Sequence, residues 1–278
     1  MTVNAPLRQE PFAANRATGR LACSVVAAAE GSRRARLHEA GSLRLRFPNT
    51  EPGGALEAVM VNTAGGMAGG DGFDIDVAVG AGAKLTATTA AAEKIYRSLG
   101  PATEIGVKLS VGAGGALAWL PQETILFDRA RLRRTIAVDL AGDSSLILAE
   151  AVVFGRSAMG ETVTSGDFFD RWRLRVGGTL VFAETLRLDG AVAERLAQRA
   201  SANGGVAVAT VLKYPGDEPS IAAVRGIAQD FRGEVGVSGW NGLALARLVA
   251  PDGASLRREL FAVVTALGGT TPPRLWLN

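Results

Sequence analysis

The chain has 278 residues, 47% hydrophobic and 21% charged, with a formal net charge of +3 and a single histidine and cysteine. One cysteine, Cys23, excludes an internal disulfide, and one imidazole, His38, leaves almost no room for Cys–His or Ser–His–Asp catalysis. The pI of 9.4 reflects a small arginine excess with almost nothing titrating near neutrality, so it argues weakly for an acidic partner surface and hardly at all for nucleic acid.

Residues 1–20 read as a flexible arm without the basic start and apolar stretch of a secretory signal, and no run approaches the roughly 20 apolar residues of a membrane helix. A cytoplasmic location is the expectation. Leu21–Ala29 is the first strand, with Cys23 as a small buried thiol. His38 lies in a basic and leucine-rich stretch, Ser32–Phe47. Without a second His or a Cys nearby it is read as structural or surface rather than as a metal ligand.

After a strand over Leu56–Val61 come four glycines, Gly65, Gly66, Gly69 and Gly70, and then Asp71. Such a cluster implies positive φ or close approach of the backbone. A phosphate cradle would need a helix N-terminus next, but a strand follows, with Phe73, Ile75, Val77 and Val79 on one face. A plain β–β connection uses the same residue types for turn geometry alone. Beyond the next strand lies a polar cluster of Glu93, Lys94, Tyr96 and Arg97.

The middle of the chain repeats an alternating strand, a Gly/Ala turn and a second apolar strand: FDIDVAVGAGAKLTATT, EIGVKLSVGAGGALAWL, RTIAVDLAGDSSLILAEA and RWRLRVGGTLVFAETL. The first two turns start at Gly80 and Gly112, 32 residues apart (112 − 80). The repeat predicts a mainly β body over residues 21–190, a layered or solenoid-like stack of antiparallel hairpins. Pro121 marks a bend or an edge. Glu123 and Asp128 bracket an apolar run ahead of four arginines, and read either as a solvated ion-pair surface or as hard ligands and relay acids. Glu150, inside an apolar strand, needs a partner such as Arg156.

Residues 191–278 read as a smaller α/β portion packed on the body in one domain: helices over 191–200, 219–231 and 255–269, a strand over 205–216, and a strand pair around Trp240-Asn241-Gly242. Asp71 with Glu123 or Asp128 forms the carboxylate pair a glycoside hydrolase would need, so a carbohydrate-binding or glycoside-hydrolysing β-solenoid is the alternative reading.

Taken together, NTAGGMAGGD, TTAAAEKIYRS, WLPQETILFDRARLRR, FGRSAMGE, RWRLR and the closing PRLW resemble the urease accessory protein UreD family in order over essentially the whole chain. The resemblance implies a β-rich, solenoid-like fold and a non-enzymatic chaperone that binds the urease apoprotein. It implies partnership with accessory protein F and, through the complex, the GTPase accessory protein G, in metallocentre assembly. It implies no stably bound cofactor, with nickel only in transit. A protein that hands nickel on is best served by oxygen donors rather than His and Cys clusters, which would trap the ion. On that basis Asp71, Glu123, Asp128 and Glu150, with Glu93 beside them, are assigned to a nickel insertion route. Gly65, Gly66, Gly69, Gly70, Lys94, Tyr96, Arg97 and Trp276 are assigned to loop structure or partner contact.

Overall fold

A computed structural model describes residues 16–48, 54–156, 159–269 and 271–277. β1 (Thr18–Ala28) and β2 (Gly31–Gly41) form an antiparallel hairpin, and β3 (Leu43–Arg46) pairs antiparallel with β4 (Leu56–Asn62). From β4 onward the chain winds as a flattened coil. It crosses to β5 (Gly72–Val79), returns to β6 (Lys84–Thr89), passes β7 (Glu93–Ile95) and reaches β8 (Thr103–Val111). The circuit repeats through β9 (Ala116–Leu120), β10 (Thr124–Leu126), β11 (Arg131–Leu140) and β12 (Ser145–Phe154), and ends in β13 (Gly166–Val176) and β14 (Thr179–Gly190). The last part holds α1 (Val192–Ala197), β15 (Ala207–Tyr214), α2 (Glu218–Ile227), β16 (Glu234–Trp240), β17 (Leu243–Ala250) and α3 (Gly253–Gly268).

The mainly β, solenoid-like expectation agrees with this architecture, but the pairing inside the repeats does not. The two arms of each of the first three repeats lie in different sheets, and each arm pairs in parallel with its counterpart in the next coil. Thus β1, β5, β8, β11 and β13 run parallel in one sheet, and β4, β6, β9 and β12 run parallel in the other. Only the fourth repeat, β13–β14, is an antiparallel hairpin. Turn length is the physical reason. Four residues separate β5 from β6, β8 from β9 and β11 from β12, enough to step between sheets packed about 10 Å apart. Two glycines, Gly177 and Gly178, separate β13 from β14, and their φ of 55° and 81° suit a tight reversal within one sheet.

The tight turns stack on one another. The Gly112 amide donates to the Val79 carbonyl at 2.8 Å and the Ala141 amide to Val111 at 2.9 Å. A Cβ at Gly112 would stand 2.9 Å from the Ala81 nitrogen, so this turn is glycine because the turn beneath it leaves no room. On the opposite edge of the coil the connections are wide: 63–71, 90–102, 121–130 and 155–165.

Alternation fixes what faces inward. Leu21, Cys23, Val25, Phe73, Ile75, Val77, Val107, Leu109, Leu132 and Ile136 of the first sheet meet Leu85, Leu117, Trp119, Leu146 and Leu148 of the second. Burial pushes the Cys23 thiol up to about 11. A second apolar layer lies on the outer face of the second sheet, where Ile147, Ala149, Ala151 and Val153 of β12 meet Val263, Val264 and Leu267 of α3. β12 is therefore covered on both sides and reads as a continuous apolar run.

Both long helices start at an aspartate cap: Asp217 accepts from the Ser220 amide and Asp252 from the Ser255 amide. The helix expected over 191–200 shortens to α1, and the arm expected over 1–20 already belongs to β1 from Thr18, while residues 1–15 lie outside the described residues. His38 is exposed on the edge strand β2. No helix among the described residues is long and apolar enough to cross a membrane.

Candidate functional site

The wide-loop edge gathers most of the residues singled out in the sequence: the glycine loop with Asp71, the Glu93–Arg97 cluster, Gln122 to Arg129, and 155–165. Below part of this edge lies a cavity of about 250 Å³ between the two sheets. Asn62, Gly65, Glu93 and Lys94 stand at its mouth, and Trp119, Thr124, Arg134 and Glu150 line its interior.

The polar floor of the cavity follows from strand parity. On β11 the inward positions are Leu132, Arg134, Ile136 and Val138, and on β13 they are Phe168, Asp170, Trp172 and Leu174. Parallel register sets Arg134 directly beside Asp170. The guanidinium donates in bidentate fashion to Asp170, at 3.1 Å to Oδ1 and 2.6 Å to Oδ2. It also donates to Glu150 Oε2 across the inter-sheet space, and the Trp119 indole N–H donates to Glu150 Oε1 at 2.9 Å. This corrects the pairing expected for Glu150. Arg156 lies on the surface with Glu161, 2.8 Å away, and the partner is Arg134.

Two buried carboxylates share one buried guanidinium, so the interior carries one excess negative charge when all three are ionised. Burial opposes the Arg134 charge, but Asp170 and Glu150 together raise its pKa. Burial first, and the Asp170 charge second, push the Glu150 carboxyl up against the pull of Arg134 and Trp119. At the mouth, burial likewise raises Glu93, although the Asn62 amide donates to both of its oxygens at 3.0 and 3.1 Å.

Three of the acids assigned to a route in the sequence lie elsewhere. Asp71 is buried outside the cavity, accepting the Ala17 amide at 2.8 Å and the Ala68 amide at 2.7 Å, so it clasps the glycine loop to the strand entering the solenoid. Glu123 accepts twice from Arg257 of α3, at 2.8 Å to each oxygen, with Gln122 on the same guanidinium at 2.6 Å. Asp128 accepts from the Thr164 amide and hydroxyl at 2.8 Å and the Ser165 amide at 3.2 Å. Burial would raise the Asp128 carboxyl, but those bonds outweigh it and hold it below the usual range. The carboxylate pair of the hydrolase alternative is thus committed to structural contacts.

These contacts make Asp71 a stabilising residue of the loop. Hydrogen bonds to a charged group contribute about 1.5 to 3 kcal/mol each at most. Asp71→Ala is therefore expected to lose about 2 to 3 kcal/mol in urea denaturation, and an unchanged midpoint would show that the clasp is dispensable.

Of the loop-structuring residues, Gly66 lies under Tyr96, whose ring would be 2.6 Å from an added Cβ. The Gly69 Cβ would overlap the Ser98 hydroxyl, and Gly70 has a φ of 90°. The Lys94 carbonyl receives the Met67 amide at 2.7 Å, and Arg97 bridges Ala130. Trp276 is buried, its indole N–H 3.1 Å from the Leu120 carbonyl, so it fastens the C-terminal segment rather than offering a partner surface.

Arg134 and Asp170 were missed in the sequence. The available signal was a charged residue at the inward parity of an alternating strand, visible in both RLRRTIAV and DFFDRW. Among the described residues, no three His, Cys, Asp or Glu side chains form a group able to hold a metal ion.

The sequence profile of the UreD urease accessory protein family matches residues 17–277, nearly all of the described fold. The chain belongs to the UreD family. The urease accessory protein UreD of Rhodopseudomonas palustris strain HaA2 is 58% identical over 267 residues, covering 96% of this chain and 95% of that one. The UreD of Bradyrhizobium diazoefficiens is 54% identical over 267 residues, covering 96% of each chain.

Proposed function

We propose that this chain is a non-enzymatic maturation factor for urease in the cytoplasm, which conducts nickel as cargo through the inter-sheet cavity toward the urease apoprotein. In this reading it works in a complex with accessory protein F and, through that complex, the GTPase accessory protein G. The observation that carries the reading is the cavity itself: it leads from Asn62 and Glu93 at its mouth to Thr124 and Glu150 inside, a series of oxygen groups set beside the cations Lys94 and Arg134.

A divalent ion entering past Glu93 meets one carboxylate at the mouth and a second at Glu150, attractions that are weakly screened in a low-dielectric interior, while Lys94 and Arg134 oppose a long stay. It does not meet the several N or S ligands that would hold it tightly. Glu93 at the mouth exchanges its bond to Asn62 for the ion, and Glu150 offers the next carboxylate inward. Arg134 limits residence by competing for the same oxygens. Asp71, Glu123 and Asp128 support the route indirectly, by fixing the loops and α3 around the rim.

The test is nickel per urease active site after co-expression of the urease subunits with all accessory proteins. Glu93→Gln removes the mouth charge without changing side-chain size, and a several-fold loss of urease nickel is expected while pull-downs retain the complex. Full loading by the Glu93→Gln variant would refute the route.

A further inference from the structure

One part of the wide-loop edge is not used by the cavity. The rings of Tyr96 and Phe127 meet edge to face with centroids 5.1 Å apart, and the Arg156 guanidinium lies 4.2 Å over Phe127. With Arg97, Arg129, Asp128 and Glu161 they line a notch of about 590 Å³. Arg156 also borders a neighbouring cleft of about 700 Å³ whose walls include Ile125, Val153, Met159 and Ala254. Tyr96 of the notch is 37% exposed and Met159 of the cleft 74%, and Leu99, two residues beyond Arg97, is 86% exposed.

The charges there are unevenly committed. Glu161 accepts from Arg156 at 2.8 Å, and Asp128 is taken up by Thr164 and Ser165. Arg97 has no ion pair among the described residues, and Arg129 makes only a 3.5 Å contact with Asp128. Arg129 also sits at a φ of 62°, a left-handed conformation that glycine, not arginine, adopts freely. Its amide donates to the Ser165 carbonyl at 2.9 Å and its carbonyl accepts from the Ser98 amide at 3.0 Å, so two neighbouring loops hold the strained backbone in place. Strain of this kind, kept at a surface where glycine would relieve it, marks a position whose side chain has a use.

We propose that this notch and cleft form a docking surface for an acidic segment of a partner protein that also carries an aliphatic side chain. The carboxylates take the forks of Arg97 and Arg129, a geometry to which guanidinium is matched, and the aliphatic group enters the cleft beside Met159. The inference rests on the accessory-protein reading, since it assumes a partner protein among urease and its maturation factors.

The test uses the full-length chain with two probes, urease apoprotein and accessory protein F, measuring affinity at low and high salt. The Arg97→Glu/Arg129→Glu variant is expected to lose at least about tenfold in affinity for one probe, a loss that shrinks as salt screens the charges. Arg129→Gly is expected to weaken binding of the same probe while its melting temperature stays level or rises, which a purely structural arginine would not do. A photo-cross-linker placed at Leu99 should capture a segment containing Asp or Glu. Unchanged affinity of the folded double variant for both probes, or capture of a segment without acidic residues, overturns the proposal and leaves the accessory reading standing. If the unmodified chain captures neither probe, it is the accessory reading that fails.

Discussion

Replacing Arg134 with methionine is expected to destabilise the protein by about 3 to 5 kcal/mol, because removing one member of a buried ionic network leaves uncompensated charge in the interior. Arg134 holds Asp170 from the neighbouring strand and Glu150 from the opposite sheet, and all three side chains are almost fully covered. Methionine fills much of the volume but offers neither carboxylate a donor. Urea denaturation followed by tryptophan fluorescence measures the loss, and Trp119, bonded to Glu150, is placed to report it.

The pH dependence of that variant carries a definite sign. Burial, more than any other influence, holds the Glu150 carboxyl above the usual carboxylate range. A carboxyl raised in the folded state contributes stability below its unfolded pKa and loses it as pH rises through the folded one. Without Arg134 the folded pKa climbs further, so the deficit of Arg134→Met should be small in acid and grow toward neutrality. A deficit independent of pH would mean that the loss comes from packing alone. Replacing Arg134, Glu150 and Asp170 together by apolar residues of similar volume should recover much of the stability, since it removes the stranded charges as well.

Trp276→Ala is expected to cost about 3 to 5 kcal/mol, the range for truncating a large buried aromatic side chain. Trp276 lies between the outer face of the second sheet and α3, in the apolar layer with Leu120 and Val263. Its indole N–H reaches the Leu120 carbonyl at 3.1 Å and the Thr88 hydroxyl at 3.3 Å. Leu120 leads directly into Gln122 and Glu123, which Arg257 clamps onto α3. The substitution should therefore also loosen the cavity rim, raising amide hydrogen exchange over 121–126 more than over the tight turns. A loss below about 1 kcal/mol would show that the C-terminal segment is only peripherally docked.

Where local rules govern, the sequence was legible. Period-two alternation placed Phe73, Ile75, Val77 and Val79 on one face, which is the inward one, and the helices expected over 219–231 and 255–269 fall on α2 and α3. The distinction between a coil and a hairpin was also present, in the four-residue turn of Gly80–Ala83 against the Gly177-Gly178 pair, but it requires weighing turn length against the sheet spacing. The site was only partly legible. Glu93, Lys94, Gly65 and Glu150 do meet at one cavity, whereas Asp71, Glu123 and Asp128 serve the scaffold. Nothing local in PQETILF indicates that Glu123 is held by Arg257, 134 residues further along the chain. Arg134 could be found only once its strand parity was known, since a basic run usually lies on a solvated face.

Parallel stacks of identical register are open-ended by nature, because each coil offers the next one the same ladder of amides and carbonyls. Here both ends of the first sheet turn back on themselves: β1 is shielded by β2 and β13 by β14, each running antiparallel. The outermost β2 also presents Arg33, Arg34 and Arg36 to solvent. Reversed and charged margins make the coil finite, so the molecule can use a fibre-like mode of packing for its interior without inviting further copies to polymerise onto it.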